Sequence, residues 1–381
     1  MASRNSERKS RTRLDEEQLL RDHRTLVEME KREKKRVRRA WHWGTFRHVL
    51  LVLLTLILAI VTIVVMVVGQ FLRGPSPTAS DLVVQTLMES SALKFVPYLF
   101  LFEKTDEAIQ RNTLVVPEEA TDASLVTVRA HSFADETGDA ETDEVFDENG
   151  VRIEEVVGPT YRGYMMIVRD PAQVIVGVSH NPFSKAHAGK KVNDIIASYD
   201  AVGGINAGAF YDANGTGNGG EPLGLVYSEG KRLNRADNGA YKTVVGFDKE
   251  NILRVGTYTS DDAEKIGLRD AVAFGPALIV NGKAATIKGN SSGLNPRSAI
   301  GQRSDGAVLL LAIDGRQANS FGASYADLIK VMQDYGAVNA CNLDGGSSTV
   351  MYYEGEQKND GMAISASRRL PTAWIVKRGE N

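Results

Sequence analysis

Between residues 49 and 69 the chain has no charged position, and only Thr55 and Thr62 interrupt a continuous apolar run. Twenty-one residues at 1.5 Å each make about 31 Å of helix, the hydrocarbon thickness of a bilayer, so the pattern predicts a spanning helix. A second apolar run, residues 93–102, carries Lys94 and Pro97 and is too short to span. It predicts a helix packed on the outer domain or resting at the bilayer surface. From about residue 151 the texture changes to short runs rich in β-branched and aromatic residues, broken by glycine. Strands are predicted over 163–168, 173–178, 224–227, 243–247, 277–280, 307–313 and 349–353. Asn281-Gly282 and Asp305-Gly306 fall between such runs as hairpin turns. A helix is predicted over 325–335, with Ser324 as N-cap, Asp327 in its first turn, Leu328, Met332 and Tyr335 on one face, and Gly336 as terminator. A further helical pattern covers 192–199. The expected fold class is α+β: a mixed β-sheet domain with few helices behind a single N-terminal transmembrane helix.

Charge divides the chain in the same place. Residues 1–48 hold 15 Lys or Arg against 8 Asp or Glu, an excess of seven positive charges, so a net charge of -3 leaves about ten negative on the remainder. Lys31, Arg32, Lys34, Lys35, Arg36, Arg38, Arg39 and Arg47 precede the apolar run and only Arg73 follows closely, which predicts a cytoplasmic N-terminus and an extracellular C-terminal domain. Trp41 and Trp43 suit the interface. Residues 14–39 read as a basic helix near anionic lipid or equally as a solvated tail. No A-x-A-like exit follows the run, where Gly69-Gln70-Phe71-Leu72-Arg73 stands instead, so a retained anchor is expected rather than a cleaved signal peptide. The expected organisation is a basic cytoplasmic tail (1–48), a membrane helix (49–69), a stalk helix and acidic spacer (70–150) and a catalytic domain (151–381). Within that spacer, residues 131–150 hold Asp135, Glu136, Asp139, Glu141, Asp143, Glu144, Asp147 and Glu148 without the glycine and glutamate of an EF-hand loop, and read as solvated. The near balance of charge argues against a nucleic-acid partner, and a single cysteine, Cys341, excludes an intramolecular disulfide. Cys341 lies inside an apolar run and reads as a small buried hydrophobe; His180 and His187 receive no role.

Candidate chemistry gathers in residues 308–348, which read strand, loop Asp314-Gly315-Arg316, helix, strand, loop Asp344-Gly345-Gly346-Ser347-Ser348. If the two strands run parallel in one sheet, a β-α-β crossover brings both loops to one edge, so Asp314, Arg316 and Asp344 converge. Glycine after each aspartate permits close approach of a ligand, and the amides of Gly345, Gly346 and Ser347 suit an anion-binding nest. Asn206-Ala207-Gly208-Ala209-Phe210-Tyr211-Asp212 opens a glycine-rich loop, and Arg297 stands at the entry of a strand, where a guanidinium fork suits phosphate or carboxylate.

Taken in order, Asn206-Ala207-Gly208-Ala209-Phe210, Pro222-Leu223-Gly224, Asn295-Pro296-Arg297-Ser298-Ala299-Ile300-Gly301, Asp314-Gly315-Arg316 and Asn342-Leu343-Asp344-Gly345-Gly346-Ser347-Ser348-Thr349 resemble the phosphodiester glycosidase family over residues 151–376. Ala209 and Ser347 depart from that family's usual Phe and Gly. The resemblance implies cleavage of a sugar-1-phosphodiester at the anomeric carbon, in cell-envelope or exopolysaccharide glycans. A phosphate leaving group needs little proton donation, so the reaction calls for a cation on the phosphate, a carboxylate at the anomeric centre and donors for the sugar. Arg297 and Arg316 match the first need, Asp314 and Asp344 the second as base or nucleophile, and Asn206, Asn342 and the Gly345, Gly346 and Ser347 amides the third. A divalent ion, Ca or Mg, on Asp314, Asp344 and Asn342 would serve such a substrate equally well. Two other classes fit the layout: a wall-polymer phosphotransferase, and a non-catalytic glycan-binding envelope protein.

Overall fold

The computed structural model describes residues 2–74, 76–90, 93–101, 104–128, 145–212, 216–235, 243–290, 292–360 and 368–379. It divides into two compact units, Met1–Gln70 and Phe71–Asn381. The first is helical, part of the 72-residue helix Ala2–Arg73, and within that helix Thr45–Arg73 is long and apolar enough to cross a membrane. The acidic run expected as a spacer lies largely outside the described residues, at 129–144.

The second unit is α+β, and its largest sheet has seven strands. Arg297–Arg303 runs in its interior between Val308–Ile313 and Ala337–Leu343, antiparallel to both. The two strands of the expected β-α-β unit are therefore parallel, with a third strand inserted between them. Arg162–Val168 and Val151–Val157 continue the sheet on one side, Ala277–Val280 and Lys283–Ala284 on the other. Two five-stranded sheets complete the domain. One contains Val174–Val178, Ala201–Asn206 and Thr372–Lys377; the other contains Val226–Ser228, Thr243–Asp248 and Leu268–Ala273.

Side chains alternate across a strand, so one face of the seven-stranded sheet contributes Ile300, Leu310, Ala312, Cys341 and Leu343 to a core shared by all three sheets. Trp374 sits fully buried there, edge-on to Phe247 at 5.8 Å between ring centroids. The opposite face contributes Ala299, Leu309, Leu311 and Ala340 to a core closed by the helix Tyr325–Asp334 through Leu328, Ile329, Val331 and Met332. That helix begins as its sequence predicts, with the Ser324 side chain accepting from Asp327 N and the Asp327 side chain returning to Ser324 N. Gly336, beyond its end, has φ +78°. Cys341 is buried within the core, and burial pushes its thiol pKa up.

The stretch expected to hold the stalk helix is tied to the domain at several points. Helices Pro77–Met88, Val96–Leu101 and Lys104–Arg111 pack together, and Thr113–Val115 pairs with Thr286–Lys288 of the domain. The backbone from 121 to 127 is tied down as well: Thr121 Oγ1 donates to Val255 O at 3.2 Å, and Thr127 N to Ser304 O at 2.7 Å. In the second apolar run Pro97 is buried while Leu93, Phe95 and Leu99 are exposed.

Candidate active site

Strand register assembles the site. Arg297 pairs with Ile313 and Ser298 with Leu343, so the loop after each outer strand begins beside the start of the central one. Asp314 and Asp344 consequently flank Arg297 at one sheet edge in the backbone. The glycines are required by the closeness of that meeting. A Cβ on Gly315 would lie 2.5 Å from Pro296 N, and one on Gly345 2.8 Å from Pro296 O. Gly346, at φ +60°, donates its N–H to Pro296 O at 2.9 Å. Arg316 itself adopts φ +59°, and its Nη2 donates to Asn295 Oδ1 at 2.9 Å.

From this common edge the side chains diverge. Arg297 points to the helix-covered face: Nη2 donates to Glu89 Oε2 at 2.6 Å and Gly293 O at 3.1 Å, Nε donates to Ala323 O at 3.2 Å, and the guanidinium lies 4.3 Å above the Tyr325 ring. Burial, and then the charge of Arg297, lower the pKa of Arg316. Asp314 is buried and accepts from Asn359 Nδ2 at 2.9 Å and Asp360 N at 3.2 Å.

Asp344 lies on the opposite face. Its N–H donates to Ala207 O at 3.1 Å, its carbonyl accepts from Asn206 Nδ2 at 2.5 Å, and its Oδ1 accepts from Gly345 N at 3.0 Å. Oδ2 is shut off from solvent. Burial raises the carboxyl pKa from 3.8 to about 6; the Ser348 hydroxyl, the Arg368 charge and the Gly345 N–H oppose the rise, and Asp212 adds to it. Arg368 pairs with Asp212, donates from Nη1 to Ser347 Oγ at 2.9 Å and stands 4.9 Å over the Phe210 ring.

Three expectations are corrected by these contacts. Asn206, expected to position the sugar, is wholly buried and acts as a clamp, with Oδ1 accepting from Ser298 Oγ at 2.7 Å and Val350 N at 3.2 Å. Asn342 is 2% exposed and donates from Nδ2 to Gly275 O at 2.8 Å, so its amide also faces inward. Of the three amides expected to form an anion nest, those of Gly345 and Gly346 already donate within the protein. The charge of Asp212 acts on Asp344 as well.

Sequence reading missed Glu89, Arg368 and Asn359 because each comes from a segment remote from the motifs. Asp212 did carry a signal, closing the Asn206–Tyr211 motif at the mouth of a glycine-rich loop. His180 and His187, given no role, have their rings 6.0 Å apart and stacked. Among the described residues, no three His, Cys, Asp or Glu side chains gather closely enough to hold a metal ion. Asn342 Oδ1, one of the expected oxygen ligands, is buried without a hydrogen-bond partner among those residues.

Residues 199–377 match the family model described as phosphodiester glycosidase. The SPbeta prophage-derived uncharacterized protein YomE of Bacillus subtilis (strain 168) is 33% identical over 159 residues, which cover 39% of this chain and 24% of that protein. The chain thus spans about a quarter of the length of that relative. Among solved structures, the zebrafish N-acetylglucosamine-1-phosphodiester alpha-N-acetylglucosaminidase catalytic domain, auto-inhibited by pro-peptide, is similar at a TM-score of 0.50 and 21% identity. That likeness covers 60% of this chain and 82% of the zebrafish one, and is a likeness of fold. The segment that carries Asp212, Arg297, Asp314, Arg316, Asp344 and Arg368 lies within residues 199–377, the part of the chain that matches the phosphodiester glycosidase family model.

Proposed function

We propose that this chain is a membrane-anchored hydrolase that cleaves the C1–O bond of sugar-1-phosphodiesters in extracellular or envelope glycans, with Asp344 as its principal catalytic carboxylate. The observation that carries the reading is the environment of Asp344: a carboxyl group at a three-strand junction, shut off from solvent at Oδ2 and raised to about 6. Such a group is ionised at neutral pH yet basic enough to accept a proton from water or to stabilise positive charge at the anomeric carbon. In the hydrolysis, a water oxygen bonds to C1 as the C1–O–P bond breaks. The bonding pair leaves on the phosphate oxygen, and the water proton passes to Asp344. No strong general acid is needed, because the departing phosphate is itself a stabilised anion.

Asp314 is buried and held by Asn359 Nδ2 and the Asp360 N–H. The zebrafish enzyme's name supplies the first substrate to try, an N-acetylglucosamine-1-phosphodiester. Anchoring is supported by the apolar stretch Thr45–Arg73, and an outward-facing domain by the basic excess before it. The test is to incubate the full chain in detergent with sugar-1-phosphodiesters and measure free sugar. Asp344→Asn should abolish turnover while leaving ligand binding. Loss of affinity alone would mark a glycan-binding module, and transfer of the phosphate without sugar release would mark a phosphotransferase.

A further inference from the structure

We infer that Arg368, held in place by Asp212, is the cation that receives the phosphodiester group, and that the site is built for a monoanionic diester. The inference rests on the hydrolase reading above and adds a residue outside the sequence motifs. Two arginines at the strand edge looked suited to the task. Arg297 is committed: a carboxylate, two carbonyls and an aromatic face surround it. Arg316 donates to Asn295 and feels the charge of Arg297. Neither is the arginine whose charge acts on Asp344; that is Arg368.

The guanidinium of Arg368 has two polar edges. Nη1 donates to Ser347 Oγ at 2.9 Å, which ties the group to the loop that follows Asp344. On the other edge Nη2 pairs with Asp212 Oδ2, while Nε is shut off from solvent and has no hydrogen-bond acceptor among the described residues. Phe210 stacks beneath the plane and fixes its direction. A buried N–H without an acceptor is costly, and the Nε–Nη2 edge matches two oxygens of a phosphate held side by side. Asp212 therefore fills half of an anion site with an internal carboxylate. Asp212 is itself restrained, its Oδ1 accepting from Gly217 N at 2.7 Å.

Charge then selects the ligand. One guanidinium shares the site with two carboxylates, Asp212, which it pairs with, and Asp344, on which its charge acts, so a dianion meets stronger repulsion there than a monoanion. Cleavage at C1 converts the monoanionic diester into a phosphate monoester that ionises a second time near neutral pH. The same arrangement thus opposes the phosphate product more strongly than the substrate.

The test compares the full-length wild-type protein with Arg368→Gln, Arg368→Lys and Asp212→Asn. Turnover is measured on methyl N-acetylglucosamine-1-phosphate and on the neutral aryl glycoside of the same sugar; binding is read from 31P line broadening of dimethyl phosphate. Arg368→Gln should lower kcat/KM on the diester about 100-fold and abolish the broadening, and lower it on the neutral glycoside by a clearly smaller factor, that left by the action of the Arg368 charge on Asp344. Arg368→Lys should recover part of both losses. Asp212→Asn should strengthen dimethyl phosphate binding several-fold, a direction that a scaffolding role does not produce. Equal loss on both glycosides, unchanged phosphate binding in Arg368→Gln, or weaker binding in Asp212→Asn overturns the inference. Absence of turnover by the wild type refutes the hydrolase reading alone, and the phosphate measurement still decides the role of Arg368.

Discussion

Two arginines of the same domain, Arg297 and Arg368, occupy contrasting settings around one sheet edge. Arg297 belongs to a motif, is 6% exposed, and meets Glu89, two backbone carbonyls and Tyr325. Arg368 lies outside the motifs, keeps a donor without an acceptor among the described residues, and acts on the raised carboxyl of Asp344. The difference teaches that a cation held by a carboxylate, backbone carbonyls and an aromatic face braces the fold, whereas one with a buried donor left over beside a perturbed acid is available to a ligand. Alternation along the strand produces the contrast: Arg297 and Ser298 are consecutive, so one turns to the helix and Glu89 while the other turns to Asn206 and the Asp344 loop.

The sharpest way to break this contrast is at Asp344. Asp344→Asn should reduce kcat on a sugar-1-phosphodiester by about a thousandfold or more with a small change in KM, read from steady-state kinetics. If it leaves kcat intact, the Arg368 side of the edge is not the reactive one. Next in size is Glu89→Ala. It leaves the buried Arg297 without its carboxylate and should cost about 3 kcal/mol of stability, measured by denaturant unfolding of the full chain. A much smaller loss would mean that Arg297 is easily freed for a ligand.

Dependence on pH sharpens the comparison further. The folded pKa of Asp344 is raised, so the ionised form that catalysis needs is lost as pH falls through about 6, and log kcat/KM should decline below that point. Stability should move the other way. An acid raised from 3.8 to about 6 binds its proton more tightly when folded, so the penalty it imposes is full above pH 6 and is relieved as pH falls from about 6 toward 4. Asp344→Asn should remove that relief, which melting curves of both proteins at pH 5 and pH 8 will report. The smallest expected effect is chelation. An unchanged kcat/KM in EDTA removes the divalent-ion reading; a large loss would put an ion near Asp314, Asp344 and Asn342.

Much of the framework was legible because it depends on neighbours in the chain. The helix after Ser324, the turns at Asn281-Gly282 and Asp305-Gly306, and the strand Ala277–Val280 all follow from local capping, turn chemistry and alternation. That the loops carrying Asp314 and Asp344 begin at one sheet edge was legible too, because two parallel strands end at the same edge wherever they stand in a sheet. The strand inserted between them was not, since nothing in residues 308–348 reports that Arg297–Arg303 threads the gap. Asn206 and Asn342 were misassigned for a related reason. An asparagine two or three positions before a glycine looks the same whether its amide faces a ligand or a backbone carbonyl, and burial decides.

By itself, then, the amino-acid order determined the apolar span, the α+β class, the capped helix and the glycine-bearing aspartate loops, all of which rest on spacing of a few residues. Only the tertiary structure decided which charges meet. Glu89 reaches Arg297 across 208 positions, and Arg368 reaches Ser347 across 21. Electrostatic partnership depends on distance through space and on exclusion of water, and neither quantity is written in the local pattern of the chain.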